Sequence, residues 1–386
     1  MDVSNQEAEA LLRGGIDALR QGRAAEARRS FQTVTQTGRA SVQVWLLLAT
    51  ACRVEGDAAA EEAAVDQVLQ LEPRAIRGHV MKGDCRARAD DEATALSFYE
   101  SAMMMAAGQQ LPNDLVADLK RIEGVLETMK SRIDARREAA LVAQGFPPEA
   151  RSPRFQQSLD IVAGRKRIFV QEPTGYYFPG LPQIQFYDPA EFNWAPEVEA
   201  AAAKIRTEIE ALMATGTRDF RPYLQADANR PRLDENKLID SADWSALFLC
   251  ENGADRDDLI ARCPTTWAAV QAAPLPRISN SPTIMFSLLR AGARIAPHTG
   301  MLNTRLICHL PLIVPPGCRF RVGNEVREWE EGKLFIFDDT IEHEAWNDSE
   351  EDRVVLIFDI WRPELSERER EEVGAFVCGP AIERGI

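Results

Sequence analysis

The chain has 386 residues, and 45 Lys and Arg stand against 60 Asp and Glu, giving a formal net charge of −15 and a pI near 4.9. This acidic balance argues against general binding to nucleic acid or anionic membranes, because phosphate contacts need clustered Lys and Arg. The length favours two or three domains. The N-terminal residues show no signal-peptide pattern, and no apolar run approaches the roughly 20 residues of a membrane helix.

The cysteines indicate a reducing compartment. They are seven in number and contain no C-x-x-C pair. Because an export signal is lacking as well, we expect free thiols and a cytoplasmic location. The residues concerned are Cys52, Cys85, Cys250, Cys263, Cys308, Cys318 and Cys378.

An internal period of 34 runs through residues 5 to about 105. One set of positions holds small residues where two antiparallel helices approach, a second lies at the turn, and a third holds large residues on the second helix. The pattern resembles tetratricopeptide repeats, and the alternative is an unrelated Ala-rich helical bundle. The three sets are Gly15, Ala49 and Gly83; Gly22, Gly56 and Asp90; and Phe31, Val65 and Tyr99.

A long helix and then a change of texture follow the repeats. Asn113 to about Gln144 has apolar residues at helical spacing, and Asn113 after Pro112 suits a helix start. From about residue 150, Pro, Gly and aromatic residues become frequent, interrupted by a helix over Pro196–Met213. We therefore expect helical repeats over 1–110, a linking or capping helix over 111–150 and a third region over 151–386.

The last third of the chain reads as short strands. Runs of apolar and β-branched residues alternate with turns rich in Gly and Pro, which is typical of a closed or sandwiched antiparallel β fold. Between the last two strands we expect a hairpin-like excursion that holds His343. The predicted strands are 283–290, 304–313, 318–324, 333–338 and 353–361.

Three of the four histidines lie in this β region, and two have the spacing of a metal site. His298 lies in the sequence Pro297-His298-Thr299-Gly300, and His343 follows 45 residues later. Non-haem Fe(II) oxygenases hold iron by two histidines and one carboxylate and leave positions open for co-substrate and oxygen. Histidines alone do not name the ion, and any single one is more often a hydrogen-bonded structural residue.

Arg353 is the candidate for binding a co-substrate. It opens the apolar strand 353–361, where an unpaired charge is costly. 2-Oxoglutarate binds iron through one end and needs a fixed cation for its far carboxylate, and arginine provides bidentate contacts for that purpose. A strand-end arginine that reaches solvent is the alternative.

A long ordered string within 281–365 then identifies a resemblance to the aspartyl/asparaginyl β-hydroxylase family. The string contains HTG at 298–300, N-x-R at 303–305, GCRFRVGNE at 317–325, WEEGKLFIFDD at 329–339, EHEAW at 342–346 and WRPEL at 361–365. The resemblance implies a double-stranded β-helix (jelly-roll or cupin-like) catalytic domain behind the helical repeats, so an α+β multidomain protein. It also implies iron held by two histidines only, with Gly300 in place of the carboxylate.

The resemblance assigns roles residue by residue. His298 and His343 match the iron ligands, and Arg353 matches the residue that binds the 5-carboxylate of 2-oxoglutarate. Further co-substrate contacts match Ser287 and His309. The arginine that holds the substrate carboxyl group matches Arg305.

Two positions need separate comment. Family members carry a second arginine two residues after the position of Arg305, but this chain has Ile307, which removes one cation from the pocket. Asp339, four residues before His343, matches an acidic residue near the metal. We expect it to orient a metal-bound water, and a turn carboxylate is the alternative.

Together these features predict a dioxygenase that uses Fe(II), 2-oxoglutarate and O2. It would hydroxylate the β-carbon of an Asp or Asn side chain in a protein, a peptide or a small molecule, with succinate and CO2 as co-products. The alternatives are a lipid acyl-chain hydroxylase of the same fold and a non-catalytic repeat-scaffold binding protein. Because stacked helix pairs form a concave groove, a protein partner could bind the repeats.

Overall fold

The computed structural model describes residues 4–38, 40–216, 219–226, 237–278 and 281–377. The chain divides into two compact units, Met1–Ala163 and Gly164–Ile386. The sequence placed the change of texture at about residue 150, and a short helix, Pro153–Val162, lies between that point and the end of the first unit.

The first unit is built from antiparallel helix pairs followed by one long helix. The second and third pairs begin at Val42 and Ile76, which are 34 residues apart, so the predicted period is present in the structure. The helices are α1 Asn5–Arg20, α2 Ala24–Thr35, α3 Val42–Glu55, α4 Ala58–Leu71, α5 Ile76–Arg88, α6 Glu92–Ala106, α7 Asn113–Ala143 and α8 Pro153–Val162.

The repeat positions have the roles predicted for them. A Cβ on Gly15 would lie 2.6 Å from the ring of Phe31, and a Cβ on Gly83 would overlap the ring of Tyr99. The small residues therefore let paired helices approach closely. The turn residues Gly22, Gly56 and Asp90 all have positive φ, a conformation open to glycine and tolerated by aspartate. The prediction of tetratricopeptide-like helix pairs is confirmed.

The long helix α7 is confirmed as well, and it belongs to the core of the repeats. It runs over Asn113–Ala143 and buries one apolar stripe against α5 and α6. That stripe consists of Leu115, Leu119, Ile122, Leu126 and Met129, which recur at helical spacing. The helix therefore completes the third pair by covering its open face.

The second unit is mainly antiparallel β-structure with one long helix. Its strands are β1 Phe186–Tyr187, β2 Arg221–Pro222, β3 Trp244–Glu251, β4 Ala254–Asp255, β5 Ile284–Leu289, β6 Arg294–His298, β7 Arg305–Ile313, β8 Cys318–Val322, β9 Glu325–Glu328, β10 Phe335–Phe337, β11 His343–Asn347 and β12 Arg353–Trp361. Its helices are α9 Ala195–Ala214, α10 Asp257–Ile260, α11 Pro264–Gln271 and α12 Glu367–Val377.

Among the described residues the strands form two sheets. The larger has the order β1-β10-β7-β12-β5-β3-β2, with β4 paired to β3, and the smaller has the order β6-β11-β8-β9. The five predicted strands and the predicted helix over 196–213 are all present. The excursion around His343 was described wrongly, because it forms strand β11 of the smaller sheet. The strands that were not predicted are β1, β2, β3, β4, β6 and β9.

The alternation of side chains along β12 separates core from site. Val354, Leu356, Phe358 and Ile360 belong to the core that the larger sheet buries together with α9. Arg353, Ile357 and Asp359 lie on the other face and line a cavity that also contacts the smaller sheet. This follows from the two-residue period of a strand.

Two further expectations concern cysteines and membrane spans. The cysteines in the described residues, 52, 85, 250, 263, 308 and 318, are unpaired and buried, as expected, while Cys378 lies outside those residues. Within the part of the chain that the structure describes, no helix combines the length and the apolar character needed to cross a bilayer.

Candidate active site

Two histidines lie opposite each other on neighbouring strands of the smaller sheet. Strand β11 pairs with β6 so that His343 is the register partner of His298. Their ring centroids are 4.1 Å apart. A β-bulge follows His343, a distortion that redirects side chains at the edge of a ladder. The structure thus brings the two predicted metal ligands side by side, although His343 lies on a strand and not in the predicted excursion.

The backbone sets the tautomer of both rings. Nδ1 of His298 lies 2.8 Å from the carbonyl oxygen of Ala296, and Nδ1 of His343 lies 3.2 Å from that of Ile341. A carbonyl oxygen only accepts, so each Nδ1 carries the proton and each Nε2 keeps its lone pair. Desolvation lowers the pKa of both rings, that of His343 to about 3. The pair is therefore neutral, the form in which imidazole binds metal ions.

The carboxylate of Asp339 fills the space that a side chain at residue 300 would need. A Cβ on Gly300 would lie 2.7 Å from Oδ1 of Asp339 and closer still to its Cγ and Oδ2. The Gly300 N–H also donates to the Asp339 carbonyl oxygen at 2.7 Å. Burial raises the pKa of Asp339 to about 7. Its carboxylate thus reaches the neighbourhood of His298 from the segment between β10 and β11.

Among the residues that the structure describes, no third protein ligand joins the two histidines. In the described ranges, no group of three or more His, Cys, Asp or Glu is arranged to hold a metal ion. Oδ1 of Asp339 has no hydrogen-bond partner there, so this buried oxygen is available to a bound water or ligand. The donor set that the protein offers is two imidazole nitrogens with a carboxylate beside them.

Arg353 is a buried cation without a counter-ion. Its side chain is 1% exposed, and Nη2 donates to Oγ of Ser287 at 3.2 Å. The same hydroxyl accepts from Nε1 of Trp244 at 3.2 Å, and the guanidinium lies 4.9 Å from the ring centroid of Trp329. Burial lowers the pKa of Arg353 to about 10. Nε has no partner, and no carboxylate pairs with the side chain among the described residues.

His309 lies on β7, on the same face of the sheet as the apolar middle of the cavity. It is the register partner of Phe335 and of Ile357. Burial and the nearby charge of Arg353 lower its pKa well below the usual range. The ring is thus neutral, and its Nδ1 has no hydrogen-bond partner within the described residues.

Arg305 is held by an acidic partner that the sequence did not reveal. Its Nη1 donates to Oδ2 of Asp359 at 2.9 Å and to Oγ of Ser281 at 2.7 Å. Asp359 is 1% exposed. It occupies the sixth position after Arg353 on β12, which the alternation of strand residues places on the same face. The two-residue period of the strand was therefore the sequence signal that could have identified Asp359.

One cavity of about 990 Å³ brings the predicted residues together. Its apolar lining includes Met285, Ile307 and Ile357. Ile307, where family members carry arginine, therefore presents a hydrocarbon side chain to the same space as the polar groups. The predicted residues that line the cavity are Ser287, His298, Arg305, His309, Asp339, His343 and Arg353.

A buried polar network supports the segment that carries Asp339. Arg362 is fully buried, and its Nη1 donates to Oδ2 of Asp338 at 2.9 Å and to the carbonyl oxygen of Asn303 at 3.1 Å. Oδ2 of Asp338 also accepts from Gln171 at 2.6 Å. Since Asp338 and Asn303 come from different segments, the network ties the Asp339 turn to the strand connection after Gly300. Sequence reasoning missed these residues.

Comparison with known proteins finds a family match over the part of the chain that holds this site. Residues 199–363 match the model of the aspartyl/asparaginyl β-hydroxylase family. The aspartyl/asparaginyl β-hydroxylase of Mus musculus is 38% identical over 143 residues, which are 37% of this chain and 19% of that protein. An ornithine lipid ester-linked acyl 2-hydroxylase of Rhizobium tropici is 38% identical over 180 residues, which are 46% of this chain and 60% of that protein.

Solved structures resemble the helical unit at low identity. The Yersinia enterocolitica type III secretion translocator chaperone SycD is 16% identical, with a TM-score of 0.32, over 34% of this chain and 90% of that chain. The fold of the helical unit is therefore assigned from its own helix pairs and not from this similarity.

The resemblance found in the sequence is thus matched by the family model over residues 199–363 and by the relative from Mus musculus. The chain spans 19% to 60% of the length of the two relatives described above.

Proposed function

We propose that this chain is a hydroxylase that depends on Fe(II) and 2-oxoglutarate and consumes O2. The observation that carries the proposal is the presence, in one cavity, of two neutral histidines and a buried arginine that has no counter-ion among the described residues. The first feature suits a divalent metal ion, and the second suits a carboxylate. An acid that binds a metal at one end and an arginine at the other satisfies both.

The residues present fit an iron ion held by His298 and His343. An iron ion bound there together with 2-oxoglutarate would activate O2, so that one oxygen atom enters the substrate C–H bond as a hydroxyl group and the other enters succinate as 2-oxoglutarate loses CO2. The protein binds and orients the reactants. Oδ1 of Asp339 is buried and has no hydrogen-bond partner among the described residues, and the pKa of the carboxyl group is raised. This carboxyl group can therefore exchange a proton with a water or ligand beside the metal site.

Arg353 provides the anchor for the far carboxylate of 2-oxoglutarate. Ser287 holds one Nη of the guanidinium and Trp329 covers one face, so the group is oriented before the ligand arrives. A fixed donor of this kind lowers the entropic cost of binding. Neutral His309 lies in the same cavity and contributes a polar contact without a competing charge.

Within the family, the β-carbon of an Asp or Asn side chain is the first candidate for the hydroxylated position. A carbonyl group of the substrate bound by Arg305 would present the neighbouring carbon to the metal, which is how orientation yields rate. Acyl-chain hydroxylation is the second candidate. The similarity to the rhizobial acyl 2-hydroxylase and the apolar lining by Met285, Ile307 and Ile357 favour it.

The helical repeats would bind an extended polypeptide, either the substrate or an adaptor. Truncation tests this best at the boundary of the compact units, before Gly164, because α7 packs in one core with α5 and α6. Turnover of a polypeptide substrate should fall while turnover of a small substrate is kept. Unchanged turnover of both, by a truncated protein with native circular dichroism, would contradict the role of the repeats.

The function is tested by succinate formation from 2-oxoglutarate with Fe(II) and ascorbate under air. We would measure it without a prime substrate and then with Asp peptides, Asn peptides and acyl amides. The matched control is His343→Ala, which removes one imidazole from the site. Succinate formed by the wild type and lost in the variant supports the proposal. A folded wild-type protein that binds iron and forms no succinate would favour a non-catalytic binding role.

A further inference from the structure

Two of the arginines that line the cavity, Arg353 and Arg305, differ in their charge balance. Arg353 has a hydroxyl as its hydrogen-bond partner and no carboxylate among the described residues. Arg305 is paired with Asp359 at 2.9 Å, with side-chain exposures of 13% and 1%. The Arg353 end of the cavity thus carries an uncompensated positive charge, whereas the Arg305 end is neutral as a pair.

The Arg305–Asp359 pair is firmly built. Oδ2 of Asp359 accepts from Arg305 and from Oγ of Ser281 at 2.9 Å, and Oδ1 accepts from the N–H of Thr283 at 2.6 Å. Oγ of Ser281 also accepts from Nη1 of Arg305 at 2.7 Å. A ligand cannot displace Asp359 without leaving several buried donors unsatisfied, which is expensive. Asp359 is therefore a fixed part of the substrate end.

Arg305 keeps a donor for a ligand despite this pairing. Its Nη1 makes both hydrogen bonds of the pair, no hydrogen bond occupies Nη2 among the described residues, and the side chain, which is 13% exposed, lines the cavity. A carboxylate at this donor would also lie close to the carboxylate of Asp359, and like charges at short range repel strongly in a desolvated site. An uncharged carbonyl oxygen accepts the same hydrogen bond without that repulsion.

The surroundings of the pair point to the same kind of ligand. Ile307 is the register partner of Asp359, and Ile357 is the register partner of Met285. All three apolar side chains line the cavity, so the space next to the pair offers hydrocarbon contacts. Arginine at position 307 would supply the charge needed to balance a carboxylate there.

We propose that Asp359 determines substrate specificity by neutralising Arg305, so that this end of the cavity selects an uncharged carbonyl group, a carboxamide or ester, over a carboxylate. The proposal rests on the proposed function, because it concerns the prime-substrate end of the same cavity. Of the first-candidate substrates it favours the Asn side chain over the Asp side chain, and it is equally met by an acyl amide or ester.

The test compares matched ligands that differ in one charge. The two pairs are an Asn peptide against the same peptide with Asp, and decanamide against decanoate. Binding to the full-length protein is measured by calorimetry with Zn(II) and 2-oxoglutarate present, so the result does not depend on turnover. Succinate formation is recorded in parallel and reports separately on the proposed function. If only the peptide pair binds measurably, the carbonyl group belongs to a peptide substrate; if only the decanamide and decanoate pair binds, it belongs to an acyl substrate.

Three variants make the prediction specific. Asp359→Asn removes the neutralising charge, and Ile307→Arg adds a cation beside Arg305 without altering Asp359. Asp243→Asn is the matched control, because Asp243 lines the cavity without contacting Arg305. Ile307→Arg also keeps the test open if Asp359→Asn fails to fold.

The wild type should bind the uncharged ligand of each pair at least about tenfold more tightly than the carboxylate ligand. A tenfold difference in Kd corresponds to only a modest difference in electrostatic free energy. Asp359→Asn and Ile307→Arg should each reduce the ratio of the Kd for the carboxylate ligand to the Kd for the uncharged ligand about tenfold or more. Asp243→Asn should leave this ratio unchanged. Tighter binding of the carboxylate by the wild type would overturn the proposal. So would ratios in folded Asp359→Asn and Ile307→Arg proteins equal to that of the wild type.

Discussion

Replacement of Gly300 by alanine is expected to destabilise the second unit and displace the carboxylate of Asp339. A Cβ at residue 300 would lie 2.7 Å from Oδ1 of Asp339, with Cγ and Oδ2 nearer. The backbone cannot retreat, because the Gly300 N–H donates to Asp339 at 2.7 Å and its carbonyl oxygen accepts from Thr174 at 2.9 Å. The Asp339 carboxyl group must therefore move within a buried site.

The size of the effect follows from overpacking. Forcing an extra methyl group into a filled site typically costs about 1–3 kcal/mol. In a unit of this size each kcal/mol lowers the melting temperature by roughly 2–4 °C, so we expect a decrease of about 2–12 °C. Tryptophan fluorescence suits the measurement, because of the seven tryptophans only Trp45 lies in the first unit.

The control is a double-mutant cycle with Asp339→Ala, which removes the atoms that the new methyl group would meet. Gly300→Ala should cost much less in the Asp339→Ala background than in the wild type, because neighbouring residues couple in this way. A melting temperature of Gly300→Ala within 1 °C or so of the wild type would refute the reasoning. An equal cost in both backgrounds would show that the carboxylate is not the obstacle.

The remaining predictions concern the co-substrate, the metal and the repeats. Arg353→Ala should raise the 2-oxoglutarate concentration needed for succinate formation far more than the Fe(II) concentration, because it removes the carboxylate anchor; parallel titrations check this, and equal shifts would contradict it. His343→Ala should abolish iron retention through gel filtration, and stoichiometric iron in the folded variant would mean that the ligand is another residue. Gly83→Ala should destabilise the helical unit by about 1–3 kcal/mol through overlap with Tyr99, measured by urea unfolding followed by circular dichroism. Gly124→Ala, whose Cβ meets nothing within 4 Å, should not destabilise the unit.

The sequence predicted the repeats well because their pattern is local. Each helix pair places its close contact, its turn and its bulky residue at intervals of 34, so Gly83, Asp90 and Tyr99 could be assigned without knowledge of distant partners. The structure shows Gly83 against Tyr99 and a positive φ at Asp90. The predicted strands of the second unit were present for the same reason, since alternation and turn residues are local signals.

The metal and co-substrate residues were intermediate cases. Their types and spacing identified His298, His343 and Arg353, but only the pairing of β6 with β11 shows that the two rings lie 4.1 Å apart. The strand β11 was taken for an excursion because its residues, His343–Asn347, pair with strands that are distant in sequence. The double-stranded β-helix stays a prediction beyond the two antiparallel sheets that the structure shows.

The sequence by itself determined the helix pairs, five of the strands and the kinds of residue available for chemistry, because these depend on neighbours within a few positions. Tertiary structure decided what each side chain meets. It brought the carboxylate of Asp339 into the place left by Gly300, joined Asp359 to Arg305 and, within the described part of the chain, left Arg353 without a counter-ion. The residues in the first and second of these contacts are 39 or more positions apart in the sequence, and the state of Arg353 depends on the carboxylates that do not approach it. Such distant contacts set the charge balance of a buried site.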